Sequence, residues 1–372
     1  MEFHWKTIIA TFMLSFIFFS SCTDRPKPLN RSKKRQDTIK SNIKTESKKL
    51  HKESDYKKLK ESIKKLEYKK ALKLIQSLRK SYPKNPEILY LLAVITKNSN
   101  PDPLKAIEIL HFVTSIDEHY GKAWKLLGDL YYIRGELKSA IKSWELAQET
   151  IKNSAELYYK LAYVYYTAHD NKLAVKYFQK SLEINKKLEW SYYYLAEIHF
   201  EKLKKPKLAI DFLKRGIKEL PKSKNLNQKL AILYYNSGKY KEAIIWNKEV
   251  LKIIKYDNFA IENISNAYMK LKNYDKAIEW LDKIVKEQPK SIYYIKKLAN
   301  LYKSNNKLEK TIELLSFAFN LKEDFELKNQ IAKLYLILGN TKKYEEIVKE
   351  LKKSKNPNAM RISEYLKMEE KK

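Results

Sequence analysis

An all-α solenoid is the fold class this sequence predicts, and three observations carry it. Glycine is scarce, at 6 of 372 residues, which favours helices joined by short turns over turn-rich β structure or glycine loops. From about residue 53 onward, similar stretches recur about every 34 residues. Examples are AWKLLGDLYYIRGELKSAIKSWELAQ from Ala123, NQKLAILYYNSGKYKEAIIWNKEVLK from Asn227 and IENISNAYMKLKNYDKAIEWLDKIVK from Ile261. Each stretch holds two apolar patterns of helical period separated by a short turn.

The chain begins differently. A short n-region, MEFHWK, precedes an apolar run over residues 7–19, TIIATFMLSFIFF. That run is shorter than the roughly 20 residues a membrane-spanning helix needs, and it has the length of a secretory h-region. Ser20, Ser21 and Cys22 follow, and Cys22 is the only cysteine. A single cysteine forms neither an internal disulfide nor a multi-cysteine metal site. The arrangement resembles a bacterial lipoprotein signal peptide, with Ser21 as the small residue before the cut. Phe19 stands where the usual pattern has Leu or a similar aliphatic, a relaxed form familiar in spirochaetes. The resemblance implies that residues 1–21 are removed and that Cys22 becomes a palmitate-type lipid anchor. It also implies a place in the bacterial cell envelope, lipid-anchored to a membrane and facing the periplasm or the surface. Acyl chains contribute about 0.8 kcal/mol per buried CH₂, so several on one residue hold firmly. An uncleaved anchor and a plain signal peptide are the other readings of the same residues.

Residues 22–52 follow as a basic tether. Residues 24–52 lack helical apolar periodicity and carry eleven basic residues against three acidic ones, the pattern of a disordered segment. A flexible chain of that length spans roughly 30 Å, and its charge suits an anionic lipid surface.

The array occupies residues 53–357, in units of about 52–85, 86–120, 121–154, 155–188, 189–223, 224–257, 258–291, 292–324 and 325–357. Two antiparallel helices approach closely only where small side chains sit at their crossing. On first helices that place holds Gly128, Ala162, Ala196, Ala231, Ser265, Ala299 and Ala332. On second helices it holds Ala71, Ala106, Ala140, Ala174, Ala209, Ala243 and Ala277, with Thr311 and Tyr344 in the last two units. Large residues fill the gaps: Tyr131, Tyr165, Tyr234, Tyr268, Tyr302 and Tyr335 on first helices, and Trp144, Phe178, Leu213 and Leu281 on second helices. Gly135, Gly238 and Gly339 fall in the turn within a unit, where a left-handed residue ends a helix. Pro83, Pro221 and Pro289 follow second helices. Ser154, Asp257 and Ser291 are placed to cap first helices. Unit 189–223 carries one extra residue, expected near Pro206. Residues 358–372 read as a polar C-terminal capping helix, which a solenoid end needs. These positions together resemble the tetratricopeptide repeat (TPR), which implies a superhelix of antiparallel helix pairs.

No constellation for catalysis stands out. The six histidines form no H-E-x-x-H, and there is no G-x-G-x-x-G, G-x-x-x-x-G-K-[ST] or G-x-S-x-G. The expectation is a non-enzyme without cofactor or metal. Carboxylates are expected on solvated helix faces, with Lys three or four residues away. The net charge is +32, yet only seven of the 76 basic residues are Arg. Arg is the residue suited to bidentate phosphate recognition, so nucleic acid is disfavoured, and the Lys excess reads first as solvated helix faces.

The TPR resemblance implies that first helices line a concave groove that takes a protein or peptide. Helical spacing puts Tyr159, Lys160, Tyr163, Trp190, Tyr193 and Glu197 on that lining, followed by Asn225, Gln228, Asn263, Asn266, Lys296 and Asn300. The groove candidates are Tyr159, Tyr163, Trp190, Tyr193, Asn263, Asn266, Lys296 and Asn300. Trp and Tyr are enriched at binding hot spots, and Asn amides pair with an extended backbone. Lys296 and Asn300 resemble half of a clamp for a peptide C-terminus. The aromatics also admit a role in contacts between superhelical turns. The functional expectation is a lipid-anchored envelope scaffold or adaptor that binds a protein or peptide in this groove. A charge-driven binder of anionic membrane or another polyanion is the alternative.

Overall fold

In the computed structural model, residues 54–99 and 103–370 are described, together with Thr45 and Leu50. The expected signal peptide, Cys22 and nearly all of the tether lie outside the described residues. Nineteen α-helices and one π-helical turn make up the fold, with no strand among the described residues. In chain order they are α1 (Ser54–Lys64), α2 (Tyr68–Ser81), α3 (Pro86–Ser99), α4 (Leu104–Ile116), α5 (Gly121–Ile133) and α6 (Leu137–Thr150). Then come α7 (Ala155–Thr167), α8 (Asn171–Ile184), α9 (Glu189–Glu197), the π turn (Ile198–Lys202), α10 (Pro206–Glu219), α11 (Lys224–Asn236) and α12 (Tyr240–Ile253). The rest are α13 (Asn258–Lys270), α14 (Tyr274–Glu287), α15 (Ile292–Ser304), α16 (Leu308–Leu321), α17 (Phe325–Ile337), α18 (Thr341–Lys353) and α19 (Pro357–Glu370). None of them is long and apolar enough to cross a membrane.

The chain forms two compact units, one ending at Thr150 and the next beginning at Ile151. In each, consecutive helices pair, α1 with α2, α3 with α4, and so on to α17 with α18. The small residues are what permit this. Every Ala, Gly and Ser assigned to a crossing point is buried, and Thr311 and Tyr344 are buried in the same place. In the first unit, Ala93, Ala106, Leu110, Ala123, Leu127 and Leu130 form one continuous core. In the second, Ala332, Tyr344, Val348, Leu351, Ala359 and Leu366 join α19 to the last pair. The Tyr344 hydroxyl donates to the Leu366 carbonyl at 2.8 Å. The outer side of α19 is less polar than the sequence suggests, with Met360, Tyr365 and Met368 exposed.

Among the described residues, the turns inside pairs follow one design. A left-handed residue recurs at Leu66, Gly135, His169, Lys204, Gly238, Lys272, Asn306 and Gly339. Only three of these are glycine, although a side chain there costs about 1–2 kcal/mol. The following residue returns its N–H five residues back in seven of these eight turns, for example Glu136 to the Tyr131 carbonyl and Asn273 to the Tyr268 carbonyl, both at 2.9 Å. These bonds satisfy helix-end carbonyls and offset the strain. Ser154 and Asp257 cap first helices, accepting from Leu157 N and Ala260 N at 3.3 and 2.8 Å. Ser291 stands at the equivalent N-cap with no side-chain bond, and the helix opens on its carbonyl alone.

The extra residue of unit 189–223 is not taken up at Pro206. Pro206 is the first residue of α10, where a missing N–H costs nothing. The insertion lies in the π turn, where Leu203 N bonds Ile198 O. An i→i+5 bond accommodates one more residue without ending the helix. His199 lies in this turn, 6% exposed and stacked on Phe212 with ring centroids 5.2 Å apart. Neither ring nitrogen has a partner among the described residues. Burial, and then Lys205, hold its pKa below the usual imidazole value. The unfolded chain therefore binds more protons near pH 6.5, so stability is full above that value and falls as pH drops through it. Unfolding midpoints should decline between pH 7.5 and 5.5, and His199→Leu should flatten part of that decline. An unchanged pH slope in His199→Leu denaturation curves would contradict this assignment.

Candidate binding face

First helices of the second unit are joined to their neighbours by contacts about one repeat apart. The Tyr166 hydroxyl donates to Glu197, and Lys229 pairs with the same carboxylate at 2.6 Å. Lys224 pairs with Asp257 at 2.7 Å, and Gln228 donates to it at 3.4 Å. Lys297 pairs with Glu262, which also accepts from the Tyr293 hydroxyl at 3.2 Å. Thus α7, α9, α11, α13 and α15 present adjoining faces.

These links correct the expectation for carboxylates. Several do pair on one helix face, such as Glu61 with Lys65 and Asp282 with Lys286, both at 2.8 Å. Glu197, Asp257 and Glu262 instead bind lysines of a neighbouring first helix. Burial alone would raise the Glu197 carboxyl, but the bonds from Lys229 and Tyr166 outweigh it and hold its pKa below the usual range. Lys297 behaves in mirror image, since its bonds to Glu262 and Tyr293 overcome desolvation and raise it.

Four of the predicted residues converge. Tyr159 stacks on Tyr163 with centroids 6.3 Å apart, and Trp190 meets Tyr193 edge-on at 5.4 Å. Tyr194 bridges the two pairs, 5.4 Å from Tyr163, 6.1 Å from Trp190 and 5.7 Å from Tyr193. It also lies 4.9 Å from Tyr166 and 5.5 Å from Phe178. Tyr194 and Tyr166 join the expected residues, and Tyr194 shares a helix face with Trp190, one turn away. Trp190 is 45% exposed, so this aromatic bed is open on one side. Lys229 covers Tyr193 with its ammonium 4.5 Å from the ring, a favourable cation–π geometry.

The other four candidates are not part of that bed. Asn263 and Asn266 lie on α13, and Lys296 and Asn300 lie on α15. Asn263 Nδ2 is buried without a hydrogen-bond partner among the described residues. Lys296 pairs with Asp324 at 3.5 Å, and Asn300 is exposed. Among the described residues, no group of three or more His, Cys, Asp and Glu side chains is arranged to hold a metal ion.

The face and the helix pairs that build it define an all-α TPR solenoid. The tetratricopeptide repeat family matches residues 155–188 and 260–291. No curated protein matches the chain. The fold is similar to the C-terminal part of a TPR repeat-containing protein from Cytophaga hutchinsonii, at 17% identity and a TM-score of 0.51. That match covers 63% of this chain and 97% of that one. A tetratricopeptide repeat protein from Parabacteroides merdae is 15% identical with a TM-score of 0.45, covering 66% and 98%. YrrB, described as a TPR protein with an unusual peptide-binding site, is 23% identical with a TM-score of 0.42, covering 50% and 96%.

Proposed function

We propose that this chain is a non-catalytic scaffold that holds a peptide or partner helix on the first-helix face of its second unit. The observation that supports it is the open aromatic bed around Tyr194, built from rings that the small-residue crossings do not require. Trp190 and Tyr193 are the hot-spot anchors, and the Glu197–Lys229 pair borders them. Asn263, Asn266, Lys296 and Asn300 extend the same face toward backbone or carboxylate groups of a longer ligand. Residues 1–52 belong to the same proposal: removal of residues 1–21, lipidation of Cys22 and anchoring to a membrane of the bacterial cell envelope by the basic tether. Lysines of the array lie over aromatic rings, as Lys283 does on Trp280 at 3.7 Å, or pair with neighbouring repeats. That use of charge favours the groove over a polyanion surface.

Crosslinking in the native cell, followed by capture of the full-length protein, tests the face. Trp190→Ala combined with Tyr193→Ala should weaken capture at least about 30-fold, as loss of a hot spot of about 2 kcal/mol does, with helical content unchanged. Undiminished capture would rule the face out. Fatty-acid labelling that persists in Cys22→Ser would rule out the anchor.

A further inference from the structure

A second concave site lies between α8 and α10, the second helices of repeats 155–188 and 189–223. It is a cleft of about 540 Å³, within the range of about 300–1,000 Å³ that encloses small ligands. Leu182, Tyr192 and Phe212 form its apolar part. Tyr192 reaches it because residue 216 is glycine. A Cβ at Gly216 would lie 2.7 Å from the Tyr192 ring, so this ring rests directly on the α10 backbone. Tyr192 is 3% exposed and lines the cleft. Burial, and then Glu219, raise its pKa, with Arg215 acting the other way, so the phenol is a donor at neutral pH.

Arg215, Lys186, Lys218, Glu183 and Glu219 form the charged rim of the cleft, and among the described residues none of them is in an ion pair. The Arg215 guanidinium lies 5.5 Å from the Phe212 ring centroid, at the junction of the apolar and charged parts. A guanidinium is a planar fork matched to a carboxylate. The two rim carboxylates accept hydrogen bonds and repel a polyanion. A ligand complementary to all three features carries one carboxylate, one apolar side chain and a nearby N–H. Those groups occur together at the C-terminal residue of a peptide.

We propose that this cleft binds the C-terminal residue of a peptide ending in a large apolar side chain. Its carboxylate meets Arg215 and the Tyr192 hydroxyl, and its side chain lies on Leu182 and Phe212. Its amide N–H faces Glu183 or Glu219. The site is independent of the first-helix face, and the Trp190 and Tyr193 substitutions do not touch it.

The test is isothermal titration of the full chain with N-acetyl-Ala-Phe, with its C-terminal amide and with dodecanoate. Hydrogen exchange over α8 and α10 locates the binding. The free acid should bind at least about tenfold more tightly than the amide, the increment of one charge-assisted hydrogen bond. Arg215→Gln, a change at an exposed position, should abolish that preference, and Tyr192→Phe should weaken the acid without unfolding the repeat. Equal binding of acid and amide would overturn the proposal. So would tighter binding of dodecanoate than of the peptide, a preference that survives Arg215→Gln, or no binding of the acid at millimolar concentration.

Discussion

Gly128→Ala is expected to destabilise the first unit by about 3 kcal/mol, although helix propensity alone would make alanine the better residue by about 1 kcal/mol. The added Cβ would lie 2.3 Å from Trp144 Cδ1 and Nε1. Trp144 has little room to withdraw. It is 2% exposed, and its indole N–H donates to the Lys125 carbonyl at 3.2 Å and to Asp129 Oδ1 at 3.0 Å. Either the helices separate or the indole gives up both bonds and its packing. The other first helices carry Ala or Ser at this place because their partner sixteen or seventeen residues on is smaller, as with Ala162 and Phe178 or Ala196 and Leu213. Denaturant unfolding followed by circular dichroism measures the loss. Trp144→Leu in the Gly128→Ala background should restore part of it, because the two residues are coupled through one contact. A Gly128→Ala protein as stable as the parent would refute the packing argument.

Tyr194→Ala is expected to cost about 3 kcal/mol locally in the second unit and to abolish capture on the first-helix face. Removing a well-packed aromatic ring costs about 3–5 kcal/mol when fully buried, and Tyr194 is half-buried with five aromatic neighbours. Each such neighbour adds about 0.5–1.5 kcal/mol beyond burial. Tyr194→Phe keeps all five ring contacts and should cost no more than about 1 kcal/mol, with capture retained. Hydrogen exchange over α7 and α9 separates the two variants, with faster exchange expected only for alanine. Equal protection in the two variants would mean that the ring does not organise the bed.

Much of the fold is legible before any coordinates. The 34-residue spacing, the small residues at helix crossings and the three turn glycines are short-range statements about sterics, and each has its expected place in the helix pairs. The insertion in unit 189–223 was legible as a count but not as a position. Proline suggested a break at Pro206, whereas an i→i+5 bond took up the residue at Ile198–Lys202. The left-handed Leu66, His169, Lys204, Lys272 and Asn306 were hidden for a related reason. Their strain is offset by backbone bonds, which leave no mark on residue type.

The binding face divides in the same way. Spacing along each helix identified Tyr159 with Tyr163, and Trp190 with Tyr193, as co-facial, because that depends only on 3.6 residues per turn. It could not show that Tyr194 joins them, that Glu197 is claimed by Lys229 and Tyr166, or that Gly216 opens a cleft lined by Arg215. The sequence by itself determined the class of fold and the small residues at the helix crossings, since these follow from local periodicity and steric size. The tertiary structure alone decided which charges are paired, which rings touch and where a cleft remains. Those outcomes depend on the stacking of one repeat on the next, which brings together side chains 31 to 35 residues apart.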